Sequence, residues 1–520
     1  MSFEEKPLGE KAIPRDDLVS EVDETQYAEI LRRHGRLDLV PMPSDSPVDP
    51  LNWPSWKKNI LLFIVSFHAA QGPLGAAIII PAFQEFVEDL GVTLVEAPYS
   101  VSIEILFMGV SLLAWAPLSE RIGRRPVYLI SALLSAVFAL GGAYTNSWGA
   151  LITTRIFQSI FIAPALSIGA STVDELFFSY QRGQKMGIWV LFVTIGPIIG
   201  PLISGYLVQN KGWRSALFLL AAIHLGIFFA HFILGPETLF LDRTAPGQPY
   251  NQDEVAKRTD WRSFYTLRVF STRKYQTSEF FRPVIMITRP VVLLPTLAYS
   301  ITYTYTNVLM TIFVPQLFGA AFGLTPGQIG LQFIALLIGS LLGELVAGRG
   351  SDAFVNWRAR RRVAARDQVS EADTNIEGQK ESVVEPVWHP EDRLMLAPPG
   401  FIIAIVGFMI WGVQLQDSTG GKWNVTPDVG SAIALFGLQL ITTVCVTYSI
   451  ESYRSETSDV SVFISLVRQL YAFVAPFYLS IAYTNLGDIR ASGLFSGIIG
   501  LAMFMTLACS IWGPYWRSLS

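Results

Sequence analysis

Four ionisable side chains stand out inside apolar runs long enough to exclude water: His68, Glu104, Arg155 and Arg468. Such a group is costly to bury, so it is expected on the inside of a helix bundle and in a working role. His68, with Gln71 one turn on, titrates near neutrality when unperturbed and suits a proton carrier; its plainer alternative is a hydrogen-bonded packing residue. Glu104 is the first choice for a group that loads and releases a proton, because burial favours the neutral carboxyl. Arg155, followed by Gln158, falls at about the depth of Glu104 on an antiparallel neighbour. The two are expected to pair, either as a structural ion pair or as part of proton coupling. Arg468 and Gln469 lie midway along their run, placed to meet an anionic or carbonyl group of a solute or to tether a kinked helix. Asn307 closes the stretch TYTYTN, and Gln439 heads Thr442, Thr443, Thr447 and Tyr448. Hydroxyls, amides and aromatics with few carboxylates suit an amphipathic organic solute rather than a polyamine or an inorganic ion.

The elements that must position these groups follow from composition. Of 520 residues, 51% are hydrophobic and 15% charged, where a soluble protein carries about a quarter charged. The apolar residues come in blocks that can cross a bilayer, which takes ~20 helical residues. Spans are predicted near 58–80, 98–118, 127–145, 149–173, 186–207, 215–235, 286–314, 326–348, 394–414, 430–450, 459–482 and 491–512. The fold class expected is an all-α membrane protein of twelve transmembrane helices in two six-helix pseudo-symmetric bundles.

Basic residues mark the inner side. Arg121, Arg124 and Arg125 follow span two, Arg182 and Lys185 follow span four, nine more lie between Arg243 and Arg289, and Arg358 to Arg362 follow span eight. Outside loops hold only Lys211, Arg214, Lys422 and Arg490, so both termini are expected in the cytoplasm. The expected organisation is a disordered tail and pre-membrane segment at 1–57, a first bundle at 58–235 and a central loop at 236–285 with an interfacial helix around Trp261 and Phe264. A second bundle at 286–512 carries a disordered cytoplasmic insertion at 349–393, and 513–520 form a tail. Residues 1–50 lack the basic start and apolar core of a cleavable signal, so the first span is expected to direct insertion. A net charge of −4 offers phosphate no basic face, which argues against nucleic acid as a partner. Cys445 and Cys509 read as buried hydrophobes rather than a disulfide or metal ligands. Asn424-Val425-Thr426 is a glycosylation sequon in an outside loop.

Between spans two and three, PLSERIGRRPVY (Pro117–Tyr128) packs one acid and three arginines. After span eight, GRGSDAFVNWRARRR (Gly348–Arg362) repeats the spacing, with Ser351-Asp352 where the first has Ser119-Glu120. On Leu118, Glu120, Arg121, Gly123, Arg124, Arg125 and Pro126 the chain resembles the major facilitator superfamily. Arg155 in LITTRIFQSI and the run GPIIGPLISG, with Gly196, Pro197, Gly200, Pro201 and Gly205, extend the resemblance. Together with WPSWKK, GWRSALF and PETLF, the similarity is to the fungal twelve-span drug:proton antiporter branch, over residues 50–515. Two departures stand out: Ala116-Pro117 replaces the family's leading Gly-x pair, and span one lacks the acid that many such antiporters carry.

The resemblance implies alternating access about a midplane cavity, with Arg155 lining that cavity. Glu120, Arg121, Gly123, Arg124, Arg125 and Asp352 would form inner gates whose acid–guanidinium contacts differ in strength between two conformations, which is what biases an equilibrium. Pro197 would bend span five while Gly196 and Gly200 give it a smooth face for rocking between the halves. The function expected is proton-coupled export of a hydrophobic or amphipathic small molecule, with uptake of a nutrient such as a cationic amine as runner-up. A non-transporting sensor signalling through 349–393 is the third reading. No enzyme activity, cofactor or metal is expected; the proton gradient is the energy source. The partners are a small-molecule substrate, protons and the bilayer, and the chain is expected as a monomer in the plasma membrane, or alternatively the vacuolar membrane.

Overall fold

A backbone surrounded by lipid must bond its amides internally, which a helix does within one segment. The computed structural model describes residues 31–32, 39, 41–44, 49–240, 277–372, 390–417, 423–453 and 456–518, and every regular element among them is helical. Six spans come from the first part of the chain: α1 (Ser55–Leu90), α2 (Tyr99–Ile122), α3 (Arg124–Ala143), α4 (Trp148–Leu176), α5 (Ser179–Lys211) and α6 (Trp213–Leu234). The remainder are α7 (Pro290–Gly319), α8 (Pro326–Ala372), α9 (Glu391–Asp417), α10 (Thr426–Ser452), α11 (Thr457–Leu486) and α12 (Asp488–Ser518). Among the described residues, eleven helices are long and apolar enough to span by themselves; α7 joins the short stretch Ser278–Thr288 across an 86° bend.

Each interruption has a local cause. Regular α-helix in α1 stops at Ala77, and a 3-10 turn at Ile80–Ala82 carries Pro81, which has no N–H to continue the ladder. Gly123, at φ 93°, turns the chain sharply between α2 and α3, a conformation that a side chain disfavours. In α7 a π-turn at Thr304–Val308 inserts an extra residue into the helix, a feature common at functional positions.

Packing repeats itself. Within the first set α1 lies on α5, α3 on α4 and α6, and α2 on α4. Six helices further on, α7 lies on α11, α9 on α10 and α12, and α8 on α10. The two sets meet along α2–α11 and α5–α8, which are one and the same contact made twice if each helix is paired with the one six places later.

Several expectations need correction. The segment 349–372 is not a disordered insertion but the continuation of α8. Its Trp, Ala, Arg and Glu are helix formers, and after Gly350 no Gly or Pro interrupts them. The second copy of the charged motif therefore lies inside a helix, without the turn that Gly123 makes in the first; Asp352 sits on α8, with its side chain outside the described residues. The interfacial helix around Trp261 and Phe264 also falls outside the described residues. Gly196 and Gly200 do not face the other set. They let α5 approach α1, and a Cβ there would stand 2.6 Å from the Ala70 carbonyl and 2.7 Å from the Leu74 carbonyl.

The smooth surface between the sets lies one turn on. A Cβ at Gly205 would meet the Pro326 carbonyl at 2.7 Å and Gly330 Cα at 3.0 Å. Backbone cannot yield as a side chain does, so Gly205→Ile should pry α5 from α8 and destabilise the fold by about 1–3 kcal/mol. A lowered Tm of the purified variant in detergent checks this; an unchanged Tm would show that α5 and α8 do not need this contact.

Candidate transport site

At the centre, where the two sets face each other, lies a small cavity of about 30 Å³. Its wall combines Pro73, Ala76 and Ala77 of α1, Ile105 and Met108 of α2, and Pro197 of α5 with Tyr303, Asn307 and Thr311 of α7 and Arg468 and Gln469 of α11. That volume holds little more than a water, so the transporter-like centre is nearly occluded. A larger crevice of about 700 Å³ lies between α8 and α10, lined by outward-facing side chains such as Ile334, Ile338 and Val429. It involves one set only and is not the central site.

The polar groups on the central wall are held from behind or left unpaired. Arg468 Nη1 donates to the Tyr299 hydroxyl at 3.3 Å, and its guanidinium lies 5.1 Å from the centre of the Tyr303 ring. Asn307 Nδ2, Thr311 Oγ1 and Arg468 Nε are buried without a hydrogen-bond partner. Unpaired buried polar atoms are uncommon and call for a reason; here they face a shared cavity. Asn307 owes its position to the π-turn, which the sequence pattern did not signal.

Arg155 and Glu104 form an ion pair, both fully buried. Neither lines the cavity, which corrects the expectation that Arg155 would. Arg155 stands one layer behind α1, where Nη2 donates to the Gly75 carbonyl at 2.7 Å and the Ala76 carbonyl at 3.3 Å. Gln158 accepts from Arg155 Nη1 at 3.3 Å and donates to Glu104 Oε1 at 3.4 Å. The pair thus grips the very segment of α1 whose other side is cavity wall. Gly75 makes room for it: a Cβ there would lie 3.1 Å from Gln158 Nε2 and 3.5 Å from Glu104 Oε1.

His68 and Gln71 are fully buried on α1 and also lie away from the cavity. Each meets a histidine of α6 that sequence reasoning missed. His68 Nδ1 is 3.1 Å from His231 Nε2, and His224 Nδ1 is 2.7 Å from Gln71 Oε1. The signal was available, since His224 and His231 stand seven residues apart and so share one helix face. Gln439 does not reach the cavity either. It packs against Gly343 of α8, and neither Thr442, Thr443, Thr447 nor Tyr448 borders the central space.

At the arginine-rich end the expected latch exists with different partners. Glu120 is exposed and forms no ion pair among the described residues. Arg124 turns to Glu175 at the end of α4, 3.0 Å away, and also donates to Ser119 Oγ. Glu237, just beyond α6, accepts the backbone N–H of Arg124 at 2.8 Å and of Arg125 at 3.0 Å, so it closes the start of α3. Burial pushes the Glu237 carboxyl up from its usual range, against the N–H groups of Leu239, Arg124 and Arg125 that favour its charge. Arg125 donates to the Gly235 and Phe232 carbonyls. The second set repeats the scheme: Arg393 at the start of α9 pairs with Glu451 at the end of α10, and Arg517 of α12 pairs with Glu391. Between the sets, Arg121 of α2 reaches Glu279 before α7 at 3.1 Å; within the second set, Arg282 before α7 meets Asp459 of α11. Asn424 is exposed, its side chain accepting from Thr426 N and Oγ1.

Comparison with known proteins agrees with this architecture. The family model of the Major Facilitator Superfamily matches residues 69–365, more than half of the chain, and the chain belongs to that superfamily. It is 28% identical over 475 residues to the MFS-type transporter penM of Penicillium rubens, covering 90% of this chain and 86% of that one. Similarity to the efflux pump radE of Floropilus chiversii is 26% over 469 residues, covering 88% and 81%. Among solved structures, a D-xylose-proton symporter superposes with a TM-score of 0.61 at 12% identity, covering 86% of this chain and 97% of that one. The protein is therefore a multi-pass membrane transporter of this superfamily and not an enzyme.

The two kinds of latch contact should differ in strength. Arg124–Glu175 is mostly buried, whereas Arg282 is largely exposed. A double-mutant cycle on Arg124→Gln and Glu175→Gln should give a coupling of about 1–3 kcal/mol, and one on Arg282 and Asp459 about 0–1 kcal/mol. Chemical unfolding of the four variants in each cycle measures both. Equal couplings would contradict the difference in burial.

Proposed function

We propose that this transporter exports a hydrophobic or amphipathic small molecule in exchange for protons, by alternating access. The observation that carries the reading is the buried Glu104–Arg155 pair clamped to the Gly75 and Ala76 carbonyls directly behind the cavity wall. The guanidinium has two sets of partners. When Glu104 takes a proton the charge pair is lost, while the bonds to α1 and Gln158 keep Arg155 satisfied. α2 is then released from α1 and α4 without leaving a charge uncompensated by any acceptor, a state that costs several kcal/mol when a buried pair is simply broken. Protonation therefore acts on the relative freedom of helices that form the cavity, and a ligand that binds one arrangement better shifts the balance by that difference.

The cavity wall supports the substrate class. It is mainly aliphatic, with a single guanidinium, amides and hydroxyls and no carboxylate. Such a surface favours an apolar body with a carbonyl or weakly anionic group directed at Arg468 and Asn307. The efflux name of one relative points the same way. With the arginine-rich end in the cytoplasm, as the charge bias indicates, release is outward and the plasma membrane is the fitting location.

Expression in yeast stripped of its own drug pumps tests this with a panel of fluorescent amphipathic dyes. Cells carrying the protein should retain less of at least one dye, collapse of the proton gradient should abolish the difference, and Glu104→Gln at equal surface expression should remove it. Higher retention would establish uptake instead, and export that survives gradient collapse would refute proton coupling.

A further inference from the structure

Beside the ion pair, a column of polar side chains runs through the apolar interior of the first set towards the arginine-rich end. On α1 it comprises Gln71, one turn before Gly75 in sequence, and His68; on α6 it comprises His224 and His231. All four side chains are at most 1% exposed. His224 lies in the electrostatic range of Arg155 and of His68, and His231 in that of Arg125. Ser131 of α3 sits 3.3 Å from His68 Nε2, and the Tyr128 ring stacks on His231 with centroids 4.6 Å apart. Tyr128 itself bonds to Thr172 of α4 at 2.8 Å. The column spans two helical turns, about 10 Å, from the level of Glu104 to the latch.

We propose that His224, His68 and His231 form a proton relay that carries the proton from Glu104 to the arginine-rich face. This rests on the proton-coupled reading above and names the exit that reading requires. Packing alone does not call for three histidines here, because an imidazole in an apolar interior is stable only when each polar nitrogen is answered. His224 Nε2 and Gln71 Nε2 are buried without a partner. With Gln71 Oε1 as acceptor, His224 carries its hydrogen on Nδ1, so the bare Nε2 is the basic atom.

The transfers balance. Glu104 lies beside Gly75 and His224 beside Gln71, one turn of α1 apart, so the relay takes this proton through an intervening water: the O–H bond of protonated Glu104 breaks, an N–H bond forms at His224 Nε2, and the Nδ1 proton of His224 is passed on. Gln71, which holds that proton, stands three residues from His68, about one turn, and the relay requires a water across this gap. His68 takes the proton on Nε2, where Ser131 also bonds, and gives the Nδ1 proton to His231 Nε2 across the 3.1 Å contact. His231 releases a proton to the water beyond Arg125 and Glu237. Glu104 is again a carboxylate and re-forms its pair with Arg155.

A pH step applied to the full chain, reconstituted in liposomes on a solid-supported membrane, tests the relay with the proton as the only probe. Wild type should give a transient charge displacement, and Glu104→Gln none. His231→Gln keeps a hydrogen-bonding group beside His68 but lacks the two-nitrogen transfer; it should slow the displacement roughly tenfold or more, as should His68→Gln. His231→Ala should slow it no less. His224→Gln is the second variant should a substitution at His231 prevent folding, judged by a monodisperse elution profile. Wild-type kinetics in the folded Gln variants, with or without a defect in His231→Ala, would overturn the relay and leave coupling through Glu104 standing. A silent wild type would overturn the coupling reading itself.

Discussion

A guanidinium and a carboxylate enclosed in an apolar bundle cannot be left alone, and the centre of this protein is arranged around that constraint. Arg155 is enclosed by Glu104, Gln158 and the carbonyls of Gly75 and Ala76. Those carbonyls belong to the stretch where α1 leaves regular helix geometry, at Ala77 and Ile80–Ala82. The irregular backbone is tolerable because a charged donor answers it, and the charged donor is tolerable because irregular backbone and a carboxylate answer it. In the proposed coupling, a proton on Glu104 would alter the contacts of α1, α2 and α4 at once, while Gln158 and the Gly75 and Ala76 carbonyls keep Arg155 bonded.

The arginine-rich end applies the same chemistry at lower stakes. Contacts within each set are buried and made at helix ends, Arg124 with Glu175 and Arg393 with Glu451. Those that join the sets, such as Arg121 with Glu279, are partly exposed and weaker. In the proposed rocking mechanism, the mostly buried bonds at helix ends within a set let each set move as a body, while the seam carries the partly exposed Arg121–Glu279 pair. The backbone contacts of α5 with α8 at Gly205 and Gly330 give the seam a surface without side chains to interlock.

Much of this was legible in the sequence because the bilayer penalises error. Span lengths, the asymmetry of arginine and the pairing of Glu104 with Arg155 each follow from a large cost of burying charge or unbonded backbone. Residues governed by smaller costs were read less well. Which face of span ten Gln439 occupies depends on packing differences of a few tenths of a kcal/mol per contact, and no pattern in QLITTV announces it. The run 349–372 was mistaken for disorder because a solvated helix and a disordered segment share a composition rich in Arg, Ala and Glu. Glu175 and Glu237 became partners of Arg124 only through the turn of three helix ends, which spacing alone does not reveal. His224 and His231 could have been found, since both lie on one face of the most apolar span.

The account stands on Glu104 exchanging Arg155 for a proton, and infrared difference spectroscopy of the reconstituted protein observes that exchange directly. Acidification should raise a protonated-carboxyl C=O band that is absent from Glu104→Gln, together with a shift in a guanidinium band that Arg155→Lys removes. A carboxyl band of equal intensity in wild type and Glu104→Gln would place the titrating acid elsewhere and contradict the account.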